Sequence, residues 1–222
     1  MYNTLYRLYL SIKNKLYNLT TYFGNRYNLT VYDGDFFDSN QEEGLSMTIW
    51  SVPLFQKIFN FKSLIDVGSA TGHYLKTCID AGVDDVMGLE GSPEAFKKLI
   101  VDKKYVIMHD FRDPYTFHRK WDLAISIEVA EHIDGIYADN YVKILTDSSD
   151  TVLLTAAPPG QGGTAHVNEQ PQEWWIARFS TFGFAYDKAT TRQVKEGIEE
   201  AEEKGFGVAP WLKPNVMVFR RK

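Results

Sequence analysis

Ten residues constrain this fold more than any others: Ser63-Leu-Ile-Asp-Val-Gly-Ser-Ala-Thr-Gly72. An apolar run broken by one acid leads into two glycines, and His73-Tyr-Leu-Lys-Thr-Cys78 then reads as a helix. The run predicts a strand buried on both faces, as in a parallel sheet. The glycines predict a tight turn that opens directly onto a helix N-terminus. Strand, glycine turn and helix in this order form the unit at which doubly wound sheets bind nucleotides. The spacing is not that of a dinucleotide site, because a G-x-G-x-x-G loop would need glycine at Ala70 and His73. Close approach to a pyrophosphate is not provided for.

The rest of the chain extends this unit. Strands are expected at Ser63–Val67, Asp85–Leu89, Tyr105–Met108, Leu123–Ile127 and Thr151–Thr155, with helices at Thr71–Ala81, Pro93–Leu99 and Tyr137–Leu145. Their alternation implies a parallel sheet covered on both faces. Phe182–Lys188 and Asn215–Arg220 read as two further strands around a charged helix at Arg192–Lys204. Residues 1–26 hold Arg7, Lys13, Lys15 and Arg26 and no acid; Tyr2, Leu5, Tyr9, Ile12, Leu16 and Leu19 recur at helical spacing. We read an amphipathic helix, then an acidic, turn-rich stretch at Asp33–Glu43 and a second helix at Ser46–Phe59.

Composition narrows the partners. With 222 residues, 44% of them hydrophobic, the chain can build one full core. A net charge of −5 and a pI near 5.6 leave no basic face for nucleic acid. A single cysteine, Cys78, excludes an internal disulfide and fits a reducing, cytoplasmic setting. No apolar run reaches the roughly 18 residues of a membrane span. No oligomeric state is marked.

D-x-G-x-x-x-G from Asp66 to Gly72, with Glu90 closing the next strand, resembles motif I of class I S-adenosylmethionine-dependent methyltransferases. The resemblance implies a Rossmann-like, seven-stranded, mostly parallel sheet with an antiparallel C-terminal strand pair. It divides the chain into an N-terminal helical cap or lid, residues 1–60, and a methyltransferase domain, residues 61–222. Asp66, Gly68, Ser69 and Gly72 would then lie under the methionine part of the cofactor, and Glu90 with Gly91 at the ribose. Asp110 and Phe111 would serve the adenine, with Asp113 as the alternative acid, and Glu128 would sit beside the sulfonium. A lining of acids suits a cationic ligand. Tyr32, Phe36 and Phe37 could close the pocket.

The fourth strand runs into Glu128-Val-Ala-Glu131-His132, and the fifth into a Pro/Gly-rich loop ending in His166-Val-Asn168. Loops after neighbouring parallel strands are neighbours, so His166 can face Glu131 and His132. An E-x-x-E-H with a later histidine resembles the metal site of small-RNA 3′-end 2′-O-methyltransferases and, more loosely, ubiquinone-type O-methyltransferases. That implies magnesium or manganese on Glu128, Glu131, His132 and His166, beside an acceptor hydroxyl whose proton must leave before it can attack. Without an ion, His166 serves alone as general base. His73, His109 and His118 read as structural. Trp174 or Trp175, on a helix opened by Pro171, could stack on the acceptor, and this stretch also looks like carbohydrate-modifying methyltransferases. The expected activity is O-methylation of a sugar or glycan hydroxyl by catalytic His166, Glu131 and His132. An RNA 3′ end, a catechol-like phenol, or a non-catalytic cofactor-binding subunit are the alternatives.

Overall fold

The computed structural model describes residues 37, 38 and 41–222. The amphipathic helix expected over residues 1–26 lies outside these, as do Tyr32 and Phe36. Helix α1 (Gln41–Phe59) begins five residues before the expected Ser46 and carries Pro53 within it. It is followed by β1 (Ser63–Val67), α2 (His73–Asp80), β2 (Asp85–Glu90), α3 (Pro93–Lys97), β3 (Val106–Met108) and β4 (Leu123–Ile127). Then come α4 (Ala138–Ser148), β5 (Thr151–Thr155), α5 (Gln172–Thr181), β6 (Phe184–Tyr186), α6 (Lys188–Glu203), α7 (Leu212–Asn215) and β7 (Val216–Arg221). The strands form one seven-stranded sheet in the order β3-β2-β1-β4-β5-β7-β6. All pairings are parallel except those of β7, which runs antiparallel to both β5 and β6. This is the architecture expected from the sequence.

Every residue of β1 is buried, Asp66 among them, as expected of a strand covered on both faces. Leu64 faces one core cluster, under α1, α2 and α6, while Ile65 and Val67 face the other, under α4 and α5. The register of β1 and β4 is locked at its start. Asp122 accepts from the backbone N–H groups of Lys62 and Ser63, and the Ser63 hydroxyl accepts from Asp122 N–H. At the other end, the Ser126 hydroxyl donates to the Val67 carbonyl. Chain order reverses between β1 and β4, so a crevice opens beyond their carboxyl ends. Residues 67–72 and 127–132 meet there.

Helix ends obey local chemistry. Ser92 caps α3 through Ala95 N–H, with Pro93 in the first turn. Asp187 caps α6 through Thr190 N–H, so this helix starts four residues earlier than the charge pattern suggested. Helix α1 packs against α2 and α6, and the ring of Phe55 stacks on Tyr74 at 6.2 Å. Gly197 makes the contact with α6 possible: a Cβ there would lie 2.2 Å from Leu54. Among the described residues no helix is long and apolar enough to cross a membrane.

Candidate active site

The glycine turn after β1 is left-handed at three points: Gly68 (φ 89°), Ala70 (φ 46°) and Gly72 (φ 93°). A Cβ at Gly68 would stand 2.3 Å from Val129, so glycine is needed there for space as well as for backbone. Glu90 holds the turn in place: one carboxylate oxygen accepts from Ala70 N–H at 2.7 Å and the other from Ser92 N–H at 2.6 Å. Burial raises the Glu90 pKa, and the N–H groups of Ser92, Ala70 and Gly91 oppose that rise.

A cavity of about 270 Å³ lies over this turn, lined by Asp66, Gly68, Ser69 and Glu128 on the sheet side. Phe37, Met47 of α1 and Trp211 close it from the other side. Phe37 was expected at this lid; Met47 and Trp211 were not. His73, expected to be structural, also borders the cavity, with Nδ1 3.2 Å from the Thr71 hydroxyl. Asp66 is buried and its carboxyl is pushed up to about 8, by burial first and then by the nearby charge of Glu90. The folded state therefore holds this proton more tightly than the unfolded chain. The associated stability is present below about pH 4 and is lost as pH rises through 8. Asp66→Asn should accordingly raise the unfolding temperature of the ligand-free protein near pH 9, by the equivalent of up to roughly 5 kcal/mol. The gap should close toward pH 4, and thermal unfolding across this range measures it.

The expected adenine residues do not join this cavity. Arg112 donates to both Asp110 oxygens, and its hydrogen bonds outweigh burial to lower the Asp110 pKa. Phe111 is buried against Tyr141, edge to face at 6.0 Å, with Gly91 beneath its ring. His109 pairs through Nε2 with the Asp113 carbonyl at 2.9 Å, as a structural histidine does. His118 is exposed.

Beyond β4 the backbone turns through a left-handed Glu128 (φ 52°) into a short 3-10 turn, Ala130–His132. This turn buries Glu131 completely; no hydrogen bond of ordinary geometry reaches either carboxylate oxygen among the described residues, and the Glu128 carboxyl and the backbone of Glu131 and Ala157 stand close to it. Burial first, then the charge of Glu128, raises its pKa well above the ordinary carboxylate value. His132 and His166 stand beside it: one ligand atom from each of the three residues lies within 4.8 Å of the others. The two rings meet edge to face at 4.9 Å, and His166 Nε2 is 3.9 Å from Glu131 Oε1. His132 Nδ1 is 3.3 Å from the Ala165 carbonyl, and the Glu128 backbone also holds the ring. Burial, and then the neighbouring His166, push the His132 pKa down to about 4. Its ring is neutral over the physiological range.

The loop after β5 is tied to this turn through its backbone. Val167 and Asn168 N–H both donate to the Glu131 carbonyl, at 2.9 and 3.0 Å. Glu128, expected as a fourth ligand, is not in the three-residue cluster. Its carboxylate accepts from the Gln161 side chain at 3.1 Å and from Asn215 at 3.0 Å, and it borders the cavity instead. Neither amide was singled out in the sequence, because each is brought to Glu128 only by tertiary structure. Trp175 is fully buried beneath α5, whereas the ring of Trp174 is covered by the Arg178 guanidinium at 3.7 Å.

Several solved structures share this arrangement of strands and helices. The sugar N-methyltransferase KedS8 from a Streptoalloteichus species matches with a TM-score of 0.61 and 13% identity, over 85% of this chain and 92% of its own. The plantazolicin methyltransferase BpumL, in complex with a monoazolic desmethylPZN analogue and SAH, matches with a TM-score of 0.61 and 11% identity, over 99% of each chain. The chain has a methyltransferase fold. The methyltransferase domain of bacterial CtHen1 matches with a TM-score of 0.51 and 14% identity, over 78% of this chain and 96% of that domain. No protein-family profile and no curated protein matches the sequence. Within the methyltransferase fold, the cavity over the glycine turn occupies the crevice at the carboxyl ends of β1 and β4, where open α/β sheets take their ligands.

Proposed function

We propose that the chain is an S-adenosylmethionine-dependent O-methyltransferase acting on a sugar or glycan hydroxyl, one of a vicinal pair. A divalent ion is held by Glu131, His132 and His166, and His166 lies on the acceptor side. The carrying observation is the fully buried Glu131 carboxylate, flanked by two imidazoles and without a hydrogen bond of ordinary geometry among the described residues. Burying such a group costs several kcal/mol unless a proton or a cation joins it. Backbone carbonyls hold the His132 ring in place, as they do for a metal-ligating histidine. One carboxylate and two imidazoles favour manganese over magnesium, which prefers oxygen throughout.

The chemistry divides between the two edges of the crevice. The cofactor, when bound, supplies a methyl group on a positive sulfur, and the ion lowers the pKa of the acceptor hydroxyl. Glu128 would face the cationic end of the cofactor, and Asp66, protonated near neutral pH in the ligand-free protein, would give up its proton as that positive charge arrives. Gly68, with Val129 filling the place of a side chain, would give the turn beneath the cofactor its left-handed backbone. Gln161 and Asn215 hold Glu128 at the cavity, close enough to Glu131 to raise that group's pKa, so it would stand beside the three clustered ligands. On the other edge, His166 would offer Nε2 to the ion, with the acceptor proton released to solvent; only without an ion would that nitrogen take the proton itself. The sugar assignment draws on the E-x-x-E-H resemblance, on the acidic balance that disfavours RNA, and on the similarity to KedS8, a sugar N-methyltransferase.

Methyl transfer from labelled cofactor tests the reading, using sugars with vicinal hydroxyls and their singly deoxygenated analogues. Loss of the second hydroxyl should lower kcat/KM by about ten- to a hundredfold, the scale of a lost interaction with a charged centre. Equal turnover of both would remove the vicinal-diol claim. Transfer to an RNA 3′ end or a catechol, with none to sugars, would replace the acceptor class.

A further inference from the structure

Glu169 has no part in the cofactor or acceptor roles above, yet its carboxylate gathers three donors. Oε2 accepts from Gly160 N–H at 2.7 Å, and Oε1 accepts from Gly162 N–H at 2.6 Å. The same Oε1 lies 2.9 Å from His166 Nδ1. A carboxylate oxygen accepts there, so His166 Nδ1 carries a proton, and in the neutral ring Nε2 is the nitrogen with the lone pair. That nitrogen is the one 3.9 Å from Glu131. The ring is fixed from its other side too, since a Cβ at Gly163 would stand 2.3 Å from His166 Nε2. One acid thus ties the glycine loop and the histidine into a single unit.

We propose that Glu169 is a positioning residue: it sets the tautomer and orientation of His166 and anchors the 160–163 loop to the same carboxylate. Its consequence for catalysis rests on the metal reading given above; the tautomer does not. A neutral imidazole without such a partner prefers the Nε2–H form in water, which points a proton, not a lone pair, at Glu131. An oriented carboxylate also makes the imidazole a stronger ligand, and losing one typically costs ten- to a hundredfold in metal affinity, as an order of magnitude. Glu169 escapes notice in the sequence because an acid three residues after a histidine and just before a helix is an ordinary surface pattern.

Nitrogen-15 spectra of histidine-labelled, metal-free protein decide the first part. In the wild type, His166 should show a protonated Nδ1 and a bare Nε2. Glu169→Ala should convert it to the Nε2–H form, whereas Glu169→Gln, whose amide oxygen still accepts, should keep Nδ1–H. Persistence of Nδ1–H in Glu169→Ala overturns the proposal. Titration of the same proteins with Mn2+ by calorimetry decides the second part. Glu169→Ala should bind the ion about ten- to a hundredfold more weakly than wild type, with S-adenosylhomocysteine affinity within about twofold as the measure of an intact fold. A converted tautomer with unchanged Mn2+ affinity overturns the coupling of Glu169 to the metal. A wild type that takes up no Mn2+ removes the metal reading alone, and the spectra still decide whether Glu169 sets the ring.

Discussion

Exhaustive dialysis against EDTA should lower methyl transfer by two or more decades while leaving S-adenosylhomocysteine binding nearly unchanged. Manganese should restore the rate. The expectation follows from the separation of the two edges of the crevice: Asp66 and Glu128 border the cavity, and Glu131, His132 and His166 form a cluster of their own. Glu131→Gln should mimic the chelated state, because an amide of the same shape keeps the packing and loses the charge that holds the ion. The variant should nonetheless be no less stable than the ion-free wild type near neutral pH. Burial and the charge of Glu128 raise the Glu131 pKa in the folded protein. Its contribution to stability is therefore greatest at low pH and is lost as pH rises through the folded value. Glutamine at this position escapes that loss. Full activity after dialysis, together with near-normal turnover in Glu131→Gln, would leave His166 as a general base acting alone.

Much of the fold was legible because it depends on local, repeating signals. The five parallel strands were found within a residue or so, since each is a short, largely apolar run and the central ones are buried on both faces, and Gly68 and Gly72 fixed the turn between β1 and α2. Boundaries were missed where a single side chain decides them: Asp187 caps α6 early, and β6 shrinks to Phe184–Tyr186. In the site, strand order alone brought the Glu131–His132 turn beside His166. The roles of Gln161, Asn215 and Trp211 were not legible, because α7 and the segment before it reach the crevice only after the C-terminal strands have folded back. Glu128 illustrates the same limit. As one of an acid pair it reads as a ligand, and only the two amides facing it turn it toward the cofactor side. The paired tryptophans divided: Trp175 went to the core, and Trp174 took Arg178 as its partner in place of an open face.

His166→Ala should lower turnover by at least about a hundredfold, the scale of a missing acid–base group or metal ligand. It should change cofactor affinity by less than about twofold, since no part of the cavity over the glycine turn is formed by this ring. The loss should exceed that of Glu169→Ala, which leaves the imidazole in place and alters only its tautomer and aim. It should also resist rescue by Mn2+, because the remaining Glu131 and His132 offer one carboxylate and one imidazole, too few to compete with bulk water for the ion. His132→Ala separates the two roles that His166 could play. If His166 serves chiefly through the ion, removing either imidazole should cost a similar factor, and both single variants should be insensitive to EDTA. If His166 works as a base without an ion, His132→Ala should lose far less, for His132 is neutral, half-buried and bonded to the Ala165 carbonyl. Steady-state rates of the two variants, each measured with and without chelator, give this comparison directly. Near-normal turnover in His166→Ala would return the residue to a structural role, as a ring packed on Gly163 and held by Glu169.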